Sequence, residues 1–176
     1  MTELTIPVGA EDHAQGDASA AVTLVEYGDY QCPYCGAAYP LVRQLQRQFG
    51  ADLRFVFRNF PLTQAHPLAQ MAAELAEAAA AQGQFWPMHD WIYENQQQWS
   101  GGDGDELLGG IAVVGLDTGK LELALKQPQI ARRIKADFNG GVRSGVNGTP
   151  SFFVNDKLHQ GSPLGLAQAI ERTISR

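Results

Sequence analysis

The sequence predicts one α/β domain whose elements follow the order β-α-β, helical insertion, β-β-α. Three observations lead to this prediction. A strand-like run at 22–27 is followed by a helical pattern and a second strand-like run at 53–58. Residues 64–146 are rich in Ala, Gln and Leu at helical spacing, and strand-like residues return at 148–160. A chain of 176 residues is long enough for one domain with such an insertion.

The first expected segment, residues 1–63, is a β-α-β unit. Val22–Tyr27 is nearly continuous in apolar and β-branched residues, which is typical of a strand covered on both faces. From Gly36 to Phe49 apolar residues recur at helical spacing, and the next glycine is expected to end this helix. Leu53–Arg58 predicts the second strand, joined to the first by a right-handed parallel crossover.

The second expected segment, residues 64–146, is the helical insertion. Two apolar stripes come first, and shorter helices are then expected at Leu107–Val114, Thr118–Lys126 and Pro128–Val142. We interpret the tryptophans of this segment as packing residues, and His66 and His89 as capping or packing residues.

The third expected segment, residues 147–176, closes the fold. Gly148–Val154 opens a third strand, Asn155-Asp156 indicates a turn, and Lys157–Gln160 supplies a short fourth strand. Ser162-Pro163 then signals the start of a closing amphipathic helix.

The two cysteines of the chain form the motif Cys32-Pro33-Tyr34-Cys35, directly behind the first strand and ahead of the first helix. A helix that begins at the first cysteine surrounds its sulfur with free N–H groups and the positive end of the helix dipole, which favours the thiolate. Such a thiolate can attack a partner disulfide, and the second cysteine can then resolve the mixed disulfide. Pro33 suits the first helical position.

Three other interpretations of the pair are a structural disulfide, half of a zinc site, and buried small apolar residues. A zinc site needs two more ligands, and the four histidines are scattered without metal-binding spacing. We therefore expect neither a metal ion nor another cofactor. Two cysteines are also too few for a disulfide-stapled secreted scaffold.

The composition limits the classes of partner that the chain is expected to bind. The apolar fraction of 44% is ordinary for a globular protein, and the formal net charge is −6. Because no block of Lys or Arg is present, we expect no contact with nucleic acid or with an anionic membrane. The first seven residues lack a basic start and an apolar stretch, so we expect the chain as written to be cytoplasmic. If a signal peptide was removed, the expected location becomes the periplasm or another extracytoplasmic compartment.

Glu26 interrupts the first strand six residues before Cys32. One interpretation is an acid at a strand edge or end that faces water, because charged side chains are seldom buried unpaired. The other is a buried carboxyl group beneath the cysteines, with a pKa raised by desolvation, that takes and returns the proton of Cys35.

Three motifs together resemble the DsbA-like disulfide oxidoreductases of the thioredoxin superfamily. They are 25–35 (VEYGDYQCPYC), 84–90 (QFWPMHD) and 145–154 (GVNGTPSFFV). The resemblance runs through nearly the whole chain from about His13 and includes the order of the predicted elements.

The resemblance implies a thioredoxin fold with an exposed nucleophile at Cys32, a resolving cysteine at Cys35 and a buried acid at Glu26. It also implies that Pro150 is a cis-proline facing the cysteines. The backbone of Thr149 is then free to pair with an extended partner segment, because Pro150 has no N–H to continue a sheet ladder. The expected substrate-binding residues are Pro33, Tyr34, Thr149 and Pro150.

One departure from the family concerns the residues between the cysteines. The best-known periplasmic oxidants of this family carry Pro-His there, whereas this chain carries Pro33-Tyr34. Loss of the imidazole removes one stabiliser of the thiolate, so we expect a less oxidising pair. Pro-Tyr is the dipeptide of glutaredoxins, whose reduction potentials lie near roughly −200 to −230 mV. The direction of exchange in the cell stays open.

The leading hypothesis is a thiol-disulfide oxidoreductase that acts as a monomer on protein thiols or disulfides. One alternative is a glutathione-linked oxidoreductase or transferase, for which no glutathione site is evident in the sequence. Another is a binding module whose helical insertion docks a partner and whose cysteines serve as a redox switch.

Overall fold

The computed structural model describes residues 2–175. Met1 and Arg176, which the expected segments 1–63 and 147–176 include, lie outside the described residues. The strands are β1 (His13–Gln15), β2 (Val22–Gly28), β3 (Leu53–Asn59), β4 (Ser151–Val154) and β5 (Lys157–Leu158). The helices are α1 (Pro33–Phe49), α2 (Ala69–Ala80), α3 (Phe85–Glu94), α4 (Gln96–Trp99), α5 (Asp105–Val114), α6 (Thr118–Leu125), α7 (Pro128–Arg143) and α8 (Leu166–Ile174).

The five described strands form one mixed sheet in the order β1-β3-β2-β4-β5. Strand β2 is central, parallel to β3 and antiparallel to β4, so its residues have neighbours on both sides. Glu26 lies opposite Phe57 of β3 and Phe152 of β4. The predicted α/β thioredoxin fold is confirmed, and the alternating side chains of β2 contribute to an apolar cluster on each face of the sheet.

Helix α1 begins directly after Cys32 and ends before Gly50, as the sequence predicts. Cys32 is the N-cap, with extended backbone, and Pro33 occupies the first turn, where its missing N–H leaves no bond unmade. Gly50 has a φ of 49°, and its N–H donates to the Gln46 carbonyl to close the last turn. The buried residues of α1 are Cys35, Ala38, Val42 and Leu45.

Helices α2 to α7 lie between β3 and β4 in the chain. The alanines of α2 bring it close to α3, and α3 packs in turn against α5. Trp99 is completely buried, and its indole N–H donates to the carbonyl of Ile92 over 2.8 Å, which agrees with a packing role. Among residues 2–175, no helix is both long and apolar enough to cross a membrane.

The edge strand β1 is absent from the sequence prediction. It pairs antiparallel with β3, with His13 opposite Phe57 and Gln15 opposite Phe55. Three residues are too few to show the alternation by which a strand is recognised. The strand is held in place instead by the His13 imidazole, which contacts both Glu77 carboxylate oxygens at 3.0 Å.

The last part of the chain follows the prediction with shorter elements. Asn155 and Asp156 both have positive φ, at 43° and 66°, and form the turn between β4 and β5. Strand β5 ends at Leu158, although Lys157–Gln160 was the expected span. A short 3₁₀ turn at Pro163–Gly165 then leads into α8.

Candidate active site

Both cysteines lie at the start of α1, beside the carboxyl end of β2. Both are free thiols and both are buried, with 3% of Cys32 and none of Cys35 exposed. The expectation of an exposed Cys32 is therefore wrong in terms of accessible area. The turn at Asp29 holds the backbone N–H of Cys32, and the Cys32 sulfur lies 3.5 Å from the carbonyl oxygen of Thr149. These contacts enclose the residue.

The surroundings of Cys32 favour its thiolate and lower its pKa to about 5. The main cause is a hydrogen bond from the Cys35 thiol, and partial burial acts in the opposite direction. The Thr149 side chain and the backbone N–H groups of Tyr34 and Cys35 add to the stabilisation. A thiolate at neutral pH is the reactive form of cysteine, so Cys32 can act as a nucleophile.

Cys35 has the opposite character. Burial is the main cause that raises its pKa well above the ordinary value, and its hydrogen bond to Cys32 and the Glu26 charge act in the same direction. The backbone N–H of Asp29 donates to its sulfur at 3.4 Å. Cys35 is therefore held as a thiol, which must lose a proton before it can attack a disulfide.

Glu26 is buried in the centre of the sheet, with 2% of its surface exposed. The interpretation of Glu26 as an edge residue that faces water is wrong, because β2 has a neighbour on each side. Burial, followed by the negative charge of Cys32, raises its pKa to about 8. Its Oε1 has no hydrogen-bond partner among residues 2–175. A carboxyl group in this state can exchange a proton near neutral pH.

The Thr149–Pro150 peptide bond is cis, as the resemblance implies. Thr149, Pro150 and Tyr34 line an apolar groove of about 590 Å³ together with Leu164. Tyr34 is 75% exposed and Leu164 is 77% exposed. Pro33 lines a different cavity, whose other lining residues include His66 and Gln96. The expected substrate-binding residues are thus divided between two grooves.

Asp29 is a site residue that the sequence analysis missed. Its buried carboxylate accepts hydrogen bonds from the backbone N–H groups of Gln31 and Cys32, at 2.8 and 3.2 Å, through one oxygen. The other oxygen accepts from the N–H of Leu62 and contacts the His66 imidazole. Its position three residues before Cys32 is the one available signal, because Asp often folds its side chain back on the following backbone.

Gln96 is a second residue that the sequence analysis missed. Its amide donates to the carbonyls of Tyr30 and Cys32, at 2.7 and 2.9 Å, and so ties α4 to the loop before α1. It packs directly against Gly36, where any added Cβ would overlap its Oε1. No local pattern in the sequence reveals these contacts, since the partners are sixty or more positions apart.

His66 and His89 differ in their surroundings. His89 is enclosed by aromatic rings and contacts the Tyr30 hydroxyl at 2.9 Å, and burial lowers its pKa to about 3. His89 thus packs as expected. His66 instead pairs with Asp29 beside the cysteines, so its interpretation as a capping or packing residue is incomplete. Within residues 2–175, no three His, Cys, Asp or Glu side chains form a group that could hold a metal ion.

Comparison with known proteins agrees with this geometry. The thioredoxin family model Thioredoxin_4 matches residues 9–172. A thioredoxin-like oxidoreductase from Silicibacter pomeroyi DSS-3 is 29% identical, with a TM-score of 0.79 over 96% of this chain and 95% of that one. BdbD from Bacillus subtilis, in its oxidised form, is 23% identical, with a TM-score of 0.78 over 93% of this chain and 92% of that one.

The curated relatives that match this chain are much longer proteins. A Na⁺/H⁺ antiporter, NhaA 1 of Salinispora arenicola, is 46% identical over 163 residues, which are 92% of this chain and 24% of the relative. The chain thus spans about a quarter of the length of the curated relatives it matches, and their name describes a much longer protein. Since the thioredoxin family model covers nearly all of the chain and the fold agrees with the solved structures, the chain belongs to the thioredoxin superfamily.

Proposed function

We propose that the protein is a thiol-disulfide oxidoreductase that exchanges disulfides with protein substrates through Cys32 and Cys35. The observation that carries this proposal is that the pKa values of the two thiols are shifted in opposite directions. Cys32 has a pKa of about 5, whereas the pKa of Cys35 lies well above its ordinary value. One thiol is therefore ready to attack, and the other stays protonated until the second step.

The reaction proceeds in two exchanges. The Cys32 thiolate attacks a substrate disulfide, a mixed disulfide forms, and one substrate sulfur leaves as a thiolate. Cys35 then passes its proton to Glu26 and attacks the Cys32 sulfur, which forms the Cys32–Cys35 disulfide and releases the second substrate thiolate. Run backwards, the same steps transfer the disulfide to a substrate dithiol, so two electrons move in either direction.

We infer that the favoured direction is oxidation of the substrate. A stabilised thiolate stabilises the reduced protein, which makes the disulfide form a stronger oxidant. The Cys32 pKa of about 5 lies between the values of roughly 7 for thioredoxin and 3.5 for DsbA. The inferred oxidation suits an extracytoplasmic compartment, where disulfides persist.

Polypeptide substrates suit the two grooves better than glutathione does. The groove beside Tyr34 is apolar, and the groove beside Pro33 is lined largely by uncharged amide side chains such as Gln96 and Gln98. The ionisable side chains that line these two grooves are His66, Tyr93, Glu94 and Tyr34, without a lysine or an arginine. The imidazole of His66 is already paired with the Asp29 carboxylate. Glutathione carries two carboxylates that call for cationic partners. We also propose that the protein acts as a monomer, which sedimentation measurements test.

The experiment that tests the proposed function uses a reduced, unfolded model protein and the oxidised enzyme. We expect wild-type protein to accelerate disulfide formation, Cys32→Ser to abolish the acceleration, and Cys35→Ser to accumulate a mixed disulfide that mass spectrometry detects. Lack of acceleration by the wild type contradicts the proposal. If partner binding persists in the double Cys→Ser variant, the redox-switched binding module gains support. Turnover with glutathione as sole reductant supports the glutathione-linked alternative.

A further inference from the structure

The carboxylate of Asp29 is a buried charge that touches the nucleophilic cysteine through the backbone. Only 1% of Asp29 is exposed, and its Oδ1 lies 3.2 Å from the Cys32 nitrogen. The same residue donates its own N–H to Cys35. A negative charge in this position opposes the formation of a second negative charge on Cys32, because like charges repel more strongly in a buried site than in water.

His66 is the partner that balances this charge. Its Nδ1 lies 2.7 Å from the Asp29 Oδ2, and its side chain is 20% exposed. Because an ionised carboxylate only accepts hydrogen bonds, Nδ1 carries the proton of this contact. The imidazole also lines the open cavity of about 700 Å³ that Pro33 and Gly36 border. Protons from solvent therefore have access to the side chain.

The other charged groups around this pair are few. Glu94 lines the same cavity, Glu26 lies within the sheet below, and Cys35 shares the helix with Cys32. A carboxyl group or a thiol carries either no charge or a negative charge. His66 is therefore the cationic group that the described structure provides to this side of the site.

We propose that His66 is a positioning residue for the reaction, which holds Cys32 as a thiolate by neutralising Asp29 when its imidazole is protonated. This inference rests on the proposed function, since it assigns His66 a part in the reactivity of Cys32. It adds an electrostatic control on the open face of the site, separate from the buried proton acceptor at Glu26. Loss of the imidazole charge leaves the Asp29 carboxylate unbalanced, and the thiolate becomes less stable.

Two substitutions of the partly exposed His66 distinguish the effect of its charge from the effect of its hydrogen bond to Asp29. His66→Gln keeps a hydrogen-bond donor for Asp29 without a charge, whereas His66→Arg keeps a positive charge at every pH. The readout is the ultraviolet absorbance of the Cys32 thiolate in a pH titration of reduced protein. We expect the midpoint of His66→Gln to lie about one pH unit above that of the wild type, and that of His66→Arg to lie at or below it.

Arg172→Gln is the matched control, because it removes one exposed cation from α8 without touching Asp29. We expect its midpoint to equal that of the wild type. Equal midpoints in His66→Gln and His66→Arg would overturn the inference, whatever their effect on stability. If the wild type catalyses exchange and these midpoints do not move, the proposed function stands without this inference. If the midpoints move as expected in a protein that catalyses no exchange, the proposed function fails instead.

Discussion

The backbone N–H of Asp29 donates a hydrogen bond to the sulfur of Cys35 over 3.4 Å. The side chain of the same residue accepts from the N–H of Cys32. One residue of the loop therefore contacts both cysteines, from opposite ends of the motif. Because its carboxylate also binds Leu62 and His66, the loop that carries Cys32 is fixed to the segment that follows β3.

Asp29→Asn places an amide NH₂ against the N–H of Leu62 or against those of Gln31 and Cys32. A donor then faces a donor in a buried site, and we expect the free energy of unfolding to fall by about 1–3 kcal/mol. Urea denaturation of the reduced protein measures this loss. Asp103→Asn, in an exposed loop, is the control and is expected to change stability by less than about 0.5 kcal/mol. Equal effects of the two substitutions contradict a structural role for the Asp29 carboxylate.

The pH profile of alkylation tests the assignment of the two thiols. We expect one fast-reacting cysteine, Cys32, whose reaction with iodoacetamide follows the thiolate fraction with a midpoint of about 5. Cys35 is buried and protonated, so it is expected to remain unmodified in the folded protein. Cys35→Ser weakens the main stabilising hydrogen bond and is expected to raise the midpoint. A wild-type midpoint near 9 disproves the assignment.

Glu26→Gln tests the buried carboxyl group through stability. In the folded protein the pKa of Glu26 is about 8, against an ordinary value of 4.5. Because the pKa of Glu26 is raised in the folded state, its contribution to stability is fully present below pH 4.5. This contribution is lost as the pH rises towards 8, since the unfolded chain ionises first. Between pH 5 and pH 9, the free energy of unfolding of the wild type should therefore fall relative to that of Glu26→Gln by a few kcal/mol. The expected change is on the order of 1.4 kcal/mol per unit of pKa shift.

The measurement for Glu26 is urea denaturation of both reduced proteins at pH 5 and pH 9. At neutral pH we also expect Glu26→Gln to slow the release of mixed disulfides, because Cys35 loses its proton acceptor. A stability difference that does not change between the two pH values shows that Glu26 is not buried as a neutral acid.

Gly36→Ala tests the contact between α1 and Gln96. The new Cβ overlaps the Gln96 amide, which then loses its bonds to the carbonyls of Tyr30 and Cys32. We expect stability to fall by about 1–3 kcal/mol, despite the better helix propensity of alanine. Gly109→Ala is the matched control in α5, where the added Cβ meets Trp91 at an ordinary 3.8 Å. The free energy of unfolding of the control is expected to rise by roughly 0.5–1 kcal/mol. If the two substitutions change stability in the same direction, the prediction is wrong.

Leu164→Ser tests the apolar groove as a substrate surface. Burial of a leucine side chain is worth about 1.5–3 kcal/mol, so we expect the exchange rate with an unfolded protein to fall roughly tenfold at low substrate concentration. Exchange with a small neutral disulfide is expected to change little. Leu123→Ser, which alters a leucine of α6 that is 63% exposed, is the control. Equal loss in the two variants, or equal loss with both substrates, argues against the groove.

The order of elements was predictable because it depends on local patterns. The apolar run of β2, the helical spacing of α1 and the turn at Asn155 are each visible within a few residues. Burial of Glu26 was one of two interpretations, and pairing of β2 on both sides decides between them. The roles of the site residues remain predictions that the experiments above address.

Other features depend on contacts between distant parts of the chain. Strand β1 is stabilised by His13 and Glu77, which are sixty-four positions apart, and the same separation divides Cys32 from Gln96. Glutamine and histidine carry no strong local preference, so their partners become apparent only from the folded chain. The enclosure of Cys32 likewise comes from Thr149, which is 117 positions away.

The pairing of β2 with β4 also has a consequence during synthesis of the protein on the ribosome. Leu24 and its partner Val154 lie far apart in the chain, so the central strand lacks one neighbour until β4 has been synthesised. At about 5–20 residues per second, the cysteines leave the ribosome roughly ten seconds before Thr149 does. During that interval both thiols are present without the carbonyl and the groove that later enclose them.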